Sequence, residues 1–458
     1  MALIAACAAP AGAIPVRPHD IAGVASHPWR LGPDTTPLPF WPLRDPRKRE
    51  AIFSSVEGMG VHTMRVDLRW YMVEPWIKGV RDWTEFDAIH QSAQAHHVAL
   101  LPVVAMPPAW ANGGGGAWTY PKNPKDFEDF MTAAMERYPD IPAWEIWNEP
   151  NLLGFSQPEV DPAKFVAMLK AAHDAKLRSG ANTAVISGGL LAPLVGTNSF
   201  FEAMVRLHAF DYVDGFGIHP YSPQAPLTSG SSFLKLPWFH DRLVDIGKPN
   251  MGIWITEYGA STAAVATEYG PPMGGSEQAE RLRDAFALAT RWPWVKNLTW
   301  YEFQDLCTDP LDVMCNFGLV HEDMSPKPSS AAMKDVVHGD VPKLRSRISL
   351  DREPVPAGTR RSKRRAVSFG GKLFQLGAED PAGVVKLALA WSPDANGRTR
   401  LRRVIGTAAT GGRFYVTVSN MRAGWWRAVA TYPGTSDYDS DRSEPVKVRV
   451  TAPRHRRR

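Results

Sequence analysis

The chain has 458 residues, of which 44% are apolar and 22% charged; this suits a soluble globular protein and suggests neither disorder nor a membrane span. Its net charge of +5 conceals two opposite parts: residues 1–340 carry 27 Lys and Arg against 38 Asp and Glu, net −11, and residues 341–458 carry 25 against 9, net +16. A basic face suits nucleic acid, anionic lipid, an acidic glycan or plain solvation, so charge excludes none of these.

The N-terminus, MALIAACAAPAGAIP, has a short apolar run followed by Ala11-Gly12-Ala13, the small-residue cleavage pattern of a secretory signal without its usual basic start. Residues 1–13 are read as a signal-peptide remnant and the protein as secreted or associated with the cell envelope; the run is too short to span a bilayer. Its removal takes Cys7 away and leaves Cys307 and Cys315, eight positions apart in CTDPLDVMC. In an oxidising compartment these close a small loop as a disulfide; in the cytosol they are two free thiols. The export signal favours the disulfide.

From Val24 to Lys334 short apolar runs alternate with amphipathic ones, the pattern of parallel strands joined by helices. Strands are expected at 24–28, 62–67, 98–105, 142–148, 184–190, 212–219, 251–257 and 297–303. Helices are expected at 47–59, 83–96, 125–138, 162–179, 198–208, 233–247, 275–291 and 327–337. Asp161 before Pro162, and Ser276 after a Gly pair, look like helix starts. Eight strands close a barrel, so residues 14–340 are assigned to a (β/α)8 barrel, an α/β fold. Beyond Lys343, runs such as KLFQL, VVKLALAW, GRFYVTVSN, WWRAVATY and VKVRVT alternate with Gly, Pro, Asn and Asp turns. About seven short strands suit an immunoglobulin-like β-sandwich at 344–453, followed by a basic tail at 454–458. The run RRSKRR at 360–365 and the tail read first as solvated charge and second as a contact for an anionic cell-envelope polymer.

In a parallel barrel, chemistry belongs at the C-terminal ends of the strands. Strand four runs into Asn148-Glu149-Pro150, and strand seven ends in WITEYG, which puts Glu257 in the corresponding place. Paired carboxylates at such ends are what a retaining glycosidase requires, one as acid then base and the other as nucleophile. On this reading Glu149 donates a proton to a glycosidic oxygen.

WEIWNEPN, GIHPY, WITEYG and WYEFQD, in this order on strands four, six, seven and eight, resemble clan A of the retaining glycoside hydrolases. MRVDLRWYMVEP, PPAWA and RYPDIPAWEIWNEPN further resemble bacterial glycoside hydrolase family 39 and its exopolysaccharide-degrading relatives. The resemblance spans roughly residues 20–335 and rests on several motifs agreeing in order. It implies Glu149 as acid/base and Glu257 as nucleophile, Asn148 on the sugar 2-hydroxyl, and Tyr221 holding Glu257 with His219 nearby. It also implies Arg65, at the end of strand two, keeping a carboxylate ionised, and Trp300 as the floor beneath the sugar, with a cis bond after it. The substrate implied is a carbohydrate; no metal-ligand cluster appears in the sequence, so no catalytic metal is expected, and neither a cofactor nor nucleic acid is expected of a chain read as a monomer.

Each residue has a plainer alternative. Glu145 shares strand parity with Glu149 and is expected deeper in the barrel as a buried partner for a basic residue. Glu302 and Asp305 read as supporting or loop groups. Trp70, Trp110, Trp118 and Trp254 are either packing or flat faces for sugar rings, with Trp118 and Trp254 taken as substrate contacts. Gly113 to Gly116 lack a following Walker lysine and read as a loop over the cleft. Competing functions are a cellulase- or mannanase-like enzyme of another clan A family, and a barrel that binds glycan without turnover. A serine esterase is disfavoured because the sequence has no Gly-x-Ser-x-Gly elbow.

Overall fold

A computed structural model describes residues 16–26, 42–192, 196–221, 231–266, 271–354 and 365–451. The 1–13 segment, the tail at 454–458 and all of the RRSKRR run except Arg365 lie outside the described residues.

Eight parallel strands form the barrel: β1 (Ala22–Ser26), β2 (Thr63–Arg69), β3 (Ala99–Ala105), β4 (Ala143–Ile146), β5 (Ala184–Ser187), β6 (Gly215–His219), β7 (Gly252–Tyr258) and β8 (Val295–Trp300). The ring closes where Gly23 of β1 lies opposite Thr299 of β8, and where Ile186 of β5 lies opposite Gly215 of β6. A two-residue continuation of β5, Leu190–Leu191, pairs with Ile218 and His219.

Each strand is followed by a helix: α1 (Pro46–Gly58), α2 (Thr84–Ala95), α3 (Pro124–Arg137), α4 (Pro162–Ser179), α5 (Thr197–Arg206), α6 (Leu236–Asp245), α7 (Gly275–Ala289) and α8 (Pro328–His338). The sequence dictates these locally. In α3, Phe127, Phe130, Met131, Ala134 and Met135 recur at helical spacing and are buried. For α4, the Asp161 carboxylate accepts from the N–H groups of Ala163 and Lys164, Pro162 opens the first turn, and Gly180 at φ +68° ends the helix. Ser276 is not a cap: α7 starts at Gly275, and the Glu277 side chain catches the Gly274 N–H at 2.8 Å. Strand four is shorter than expected, because Trp147 turns to φ +74° directly after Ile146.

The second unit runs from Lys343. It is a β-sandwich of immunoglobulin-like kind with nine strands among the described residues: β9 (Ser346–Ile348), β10 (Asp351–Glu353), β11 (Val367–Gln375), β12 (Gly383–Ser392), β13 (Leu401–Ala409), β14 (Arg413–Val418), β15 (Gly424–Tyr432), β16 (Asp441–Arg442) and β17 (Val446–Val450). One antiparallel sheet joins β9, β10 and β14 to β11; the other runs β13-β12-β15, with β16 and β17 both on β15. Phe369, Leu387, Leu389, Trp391, Trp426 and Tyr432 fill the space between them.

The connection between β8 and α8 bears on the site because it carries Phe317. Cys307 and Cys315 close a disulfide within it. Lys327 is buried, and its ammonium donates to Asp305 Oδ1 at 2.6 Å, Thr262 Oγ1 at 3.1 Å and the Asn316 carbonyl at 3.1 Å. Burial pulls the Lys327 pKa down, and Asp305 offsets part of that. Replacing Asp305 with Asn leaves a buried cation without its counter-charge and is expected to cost about 3–5 kcal/mol, read as a lowered urea midpoint. A loss below about 1 kcal/mol would mean that the pair does not fasten this connection.

Candidate active site

Arg65 is the third residue of β2, not its last, and is fully buried. Its guanidinium reaches three neighbours on two other strands and their loops. Nε donates to Glu145 Oε2 at 2.6 Å and Nη2 to Glu145 Oε1 at 3.1 Å; Nη1 donates to Glu257 Oε1 at 2.5 Å, and Nη2 to Asn148 Oδ1 at 2.9 Å. Burial pulls the Arg65 pKa down, but the charges of Glu145 and Glu257 outweigh it and hold the pKa above its ordinary value. The cation is therefore permanent.

Glu145 is also fully buried and accepts further bonds from the Gly189 N–H at 3.0 Å and Thr256 Oγ1 at 2.9 Å. Thr256 has one hydroxyl proton, and it goes to Glu145. The Thr256 oxygen therefore accepts from His219 Nε2, 3.0 Å away. In the neutral ring this leaves the lone pair of Nδ1 facing Glu149 Oε1, at 2.9 Å. Glu149 matches that acceptor: burial, then the nearby charge of Glu257, push its pKa well above the usual carboxylate range, against the pull of Arg65.

Glu257 takes its place through an irregularity in β7. Ile255 lies opposite Leu298 and Tyr258 opposite Trp300, so three residue steps on β7 match two on β8. The extra residue lets Thr256 and Glu257 both face the barrel interior, although neighbours in a regular strand point to opposite faces. Glu257 then meets Arg65 on one oxygen and the Tyr221 hydroxyl, which donates at 3.2 Å, on the other. Glu149 and Glu257 are 7% and 8% exposed, so both reach the cavity surface.

The loop after β4 presents Glu149 from a constrained backbone. Trp147 and Glu149 lie at φ +74° and +42°, in the left-handed region, at a cost of about 1–3 kcal/mol each. Compensating contacts are the Trp147 ring stacked on Tyr120 at 4.4 Å and its indole N–H on the Phe155 carbonyl at 2.6 Å. Gly188 and Gly189 pack beneath: a Cβ on Gly188 would sit 2.5 Å from the Trp147 carbonyl oxygen, and one on Gly189 2.2 Å from His219 Nε2.

Glu149, Glu257, Asn148, Arg65, His219 and Tyr221 thus meet in one place. The tryptophans do not. Trp300 has no exposed surface and packs edge-on against Tyr258, so it offers no face to a ligand. The cis bond is Tyr301–Glu302, one residue later than expected, and Tyr301 lies against Tyr221 and Phe317 within the field of Glu257 and Glu149. Trp254 packs with Leu101, Ala143 and Ile186 towards the N-terminal ends of the strands, opposite the glutamates. Trp118 is 5% exposed and packed against Trp147 and Phe155. The glycine loop is organised by Asn112, whose Oδ1 accepts from the N–H groups of Gly114 and Gly115. Sequence reading missed Thr256, Gly188, Gly189 and Tyr301; only the Gly pair after strand five was a visible signal.

One ligand atom each of Glu149, His219 and Glu257 lie within 4.8 Å of one another, a geometry that could hold a cation. Arg65, paired with Glu257, already places a positive charge beside this cluster.

No family model and no curated protein matches the chain. Solved structures do. A family 39 glycoside hydrolase from Bacteroides cellulosilyticus is 20% identical with a TM-score of 0.57, over 88% of this chain and 81% of that one. The fold resembles that of this family 39 enzyme. A monomeric β-xylosidase from Caulobacter crescentus is 13% identical, TM-score 0.53, over 90% and 98% of the two chains. A glucosidase from Croceicoccus marinus is 10% identical, TM-score 0.51, over 89% and 94%. At these identities the likeness is one of fold, and the chemistry rests on the side chains.

Because the folded pKa of Glu149 is raised, its contribution to stability is full below the unfolded carboxylate value and is lost as pH rises through the folded one. Glu149→Gln is therefore expected to gain stability relative to the wild type between about pH 5 and pH 8, measured by thermal unfolding at each pH. A difference that does not vary with pH would contradict the raised value. Gly189→Ala is expected to displace the His219 ring and cost about 1–3 kcal/mol in the same assay.

Proposed function

We propose that the chain is a retaining glycoside hydrolase that cleaves β-glycosidic bonds of a polysaccharide or glycoside by double displacement. One observation carries the reading: one carboxylate oxygen of Glu149 and one of Glu257 lie within 4.8 Å of each other. Retaining enzymes hold their carboxyl groups about 5–5.5 Å apart, whereas inverting enzymes leave about 6.5–9.5 Å for a water.

Glu149, kept protonated by burial and by the charge of Glu257, donates its proton to the leaving oxygen. Glu257, paired with Arg65 and steadied by Tyr221, attacks the anomeric carbon. Bond formation removes the Glu257 charge, and with it the second-largest cause of the raised Glu149 pKa. Glu149, left as a carboxylate by that donation, therefore stays ionised and serves as the base for water. Asn148, its oxygen fixed by Arg65, offers its amide N–H groups to the sugar 2-hydroxyl. Tyr301 takes the role of sugar floor expected of Trp300. No cofactor is needed for either step. The Cys307–Cys315 disulfide supports the secreted or envelope location proposed for the protein.

The test is hydrolysis of aryl β-glycosides and extracellular polysaccharides by the wild type, Glu149→Ala and Glu257→Ala, with product anomers followed by NMR. Retained configuration is expected, with each variant losing about 10²–10⁴-fold or more in kcat. An inverted product overturns the double displacement. Glycan binding without turnover in the wild type would mean a binding barrel.

A further inference from the structure

The second sandwich sheet has one face in the core and one in solvent. Val385, Leu387, Leu389 and Trp391 of β12, with Trp426, Ala428 and Ala430 of β15, point inward. The alternate residues make up the outer face. One cross-strand row reads Arg402, Ala390, Arg427, Lys447 across β13, β12, β15 and β17. The next row places Trp425 opposite Arg449, with the guanidinium 5.8 Å from the ring centroid, and Lys386 lies two residues along β12 on the other side of Ala388. Arg402, Arg427, Lys447, Arg449 and Lys386 are all exposed. Outer positions of these four strands hold no acidic residue, and none of the five cations has an ion-pair partner among the described residues.

Protection of sheet edges accounts for cations on β13 and β17, since a charged edge strand resists pairing with another chain. It does not account for Arg427, which sits on the interior strand β15. Arg427 lies directly opposite Lys447, and like charges in that relation are destabilising. A repulsive row kept over a flat alanine floor suits an extended polyanion, whose carboxylates would bridge cations spread across about 14 Å of sheet. Trp425 adds an apolar face of the kind that sugar rings cover.

We infer that this outer face binds a linear, carboxylate-bearing polysaccharide. The choice of a glycan over nucleic acid rests on the glycosidase reading of the same chain; the cationic surface itself does not.

The experiment runs the full-length protein through native gels containing alginate, a linear uronate polymer, or neutral galactomannan, and separately measures its mobility shift with double-stranded DNA. Wild type is compared with the triple variant Arg402→Gln, Arg427→Gln, Lys447→Gln. Retardation by alginate but not galactomannan is expected, weakening with salt, and falling at least about fivefold in the variant with a shallower salt dependence. Aryl glycoside turnover and melting temperature stay unchanged in the variant. Undiminished retardation of the variant overturns the inference and moves binding to other basic segments of the chain. No retardation of the wild type by alginate, or tighter binding to DNA, also overturns it. Failure of the glycosidase reading appears separately, as absent turnover by the wild type.

Discussion

One buried guanidinium makes the rest of the site possible. Three glutamates share the barrel interior, and ionising all of them there without a cation would be prohibitive. Arg65 pairs with two, Glu145 and Glu257, and breaking such a buried pair typically costs about 3–5 kcal/mol. The third, Glu149, hydrogen-bonds His219 instead, and burial with the nearby charge of Glu257 raises its pKa. In the proposed mechanism, the division of labour between the two surface-reaching carboxylates follows from which of them the cation touches. Glu145, never exposed, anchors the cation at the depth where it can do this.

Around that pair the barrel departs from regularity where chemistry requires it. The bulge in β7 turns both Thr256 and Glu257 inward, so that one joins Glu145 to His219 while the other meets Arg65. The left-handed residues after β4 lift Glu149 beyond the strand, and two glycines let this backbone lie close to β5 and His219. Local strain of this kind persists only where packing holds it, here through Tyr120 and Phe155 on Trp147.

Those departures also mark the limit of what the amino-acid sequence discloses. Eight strands and eight helices were legible because apolar periodicity repeats through the barrel, and Glu149 and Glu257 were legible because their motifs lie at strand ends. Glu145 was placed correctly as a buried partner of a basic residue by strand parity alone. Parity fails at a bulge, so Thr256 went unnoticed. It also cannot tell which of Trp300 and Tyr301 turns toward the cavity, and the tryptophan, the more familiar sugar platform, is sealed in the core. Trp254 was misread for a related reason: its place in the motif puts it near Glu257 in sequence, but three residues of strand carry it to the far end of the barrel. In the sandwich, β13 escaped notice because LRRVIGTAA lacks the alternation of a half-buried strand; most of it is exposed on both faces.

The division of charge between the two parts of the chain now has a physical reading. Within the barrel, positive charge is spent internally, as at Arg65 and Lys327, on carboxylates that the fold has already buried. On the outer sandwich sheet the same residue types stand in cross-strand rows with alanine between them and, among the described residues, no ion-pair partner. If the barrel cleaves glycans as proposed, a polymer held by such a sheet is tethered through the chain to the unit that cuts it, and tethering of this sort raises the effective concentration of substrate without any new contact in the cleft. Retention by charge and cleavage by paired glutamates can then be tuned independently. On the proposed reading, cations added to the sheet would change how long a polymer stays, while the Glu149–Glu257 pair, whose Glu257 is held by Arg65, would set how fast a bond is cut.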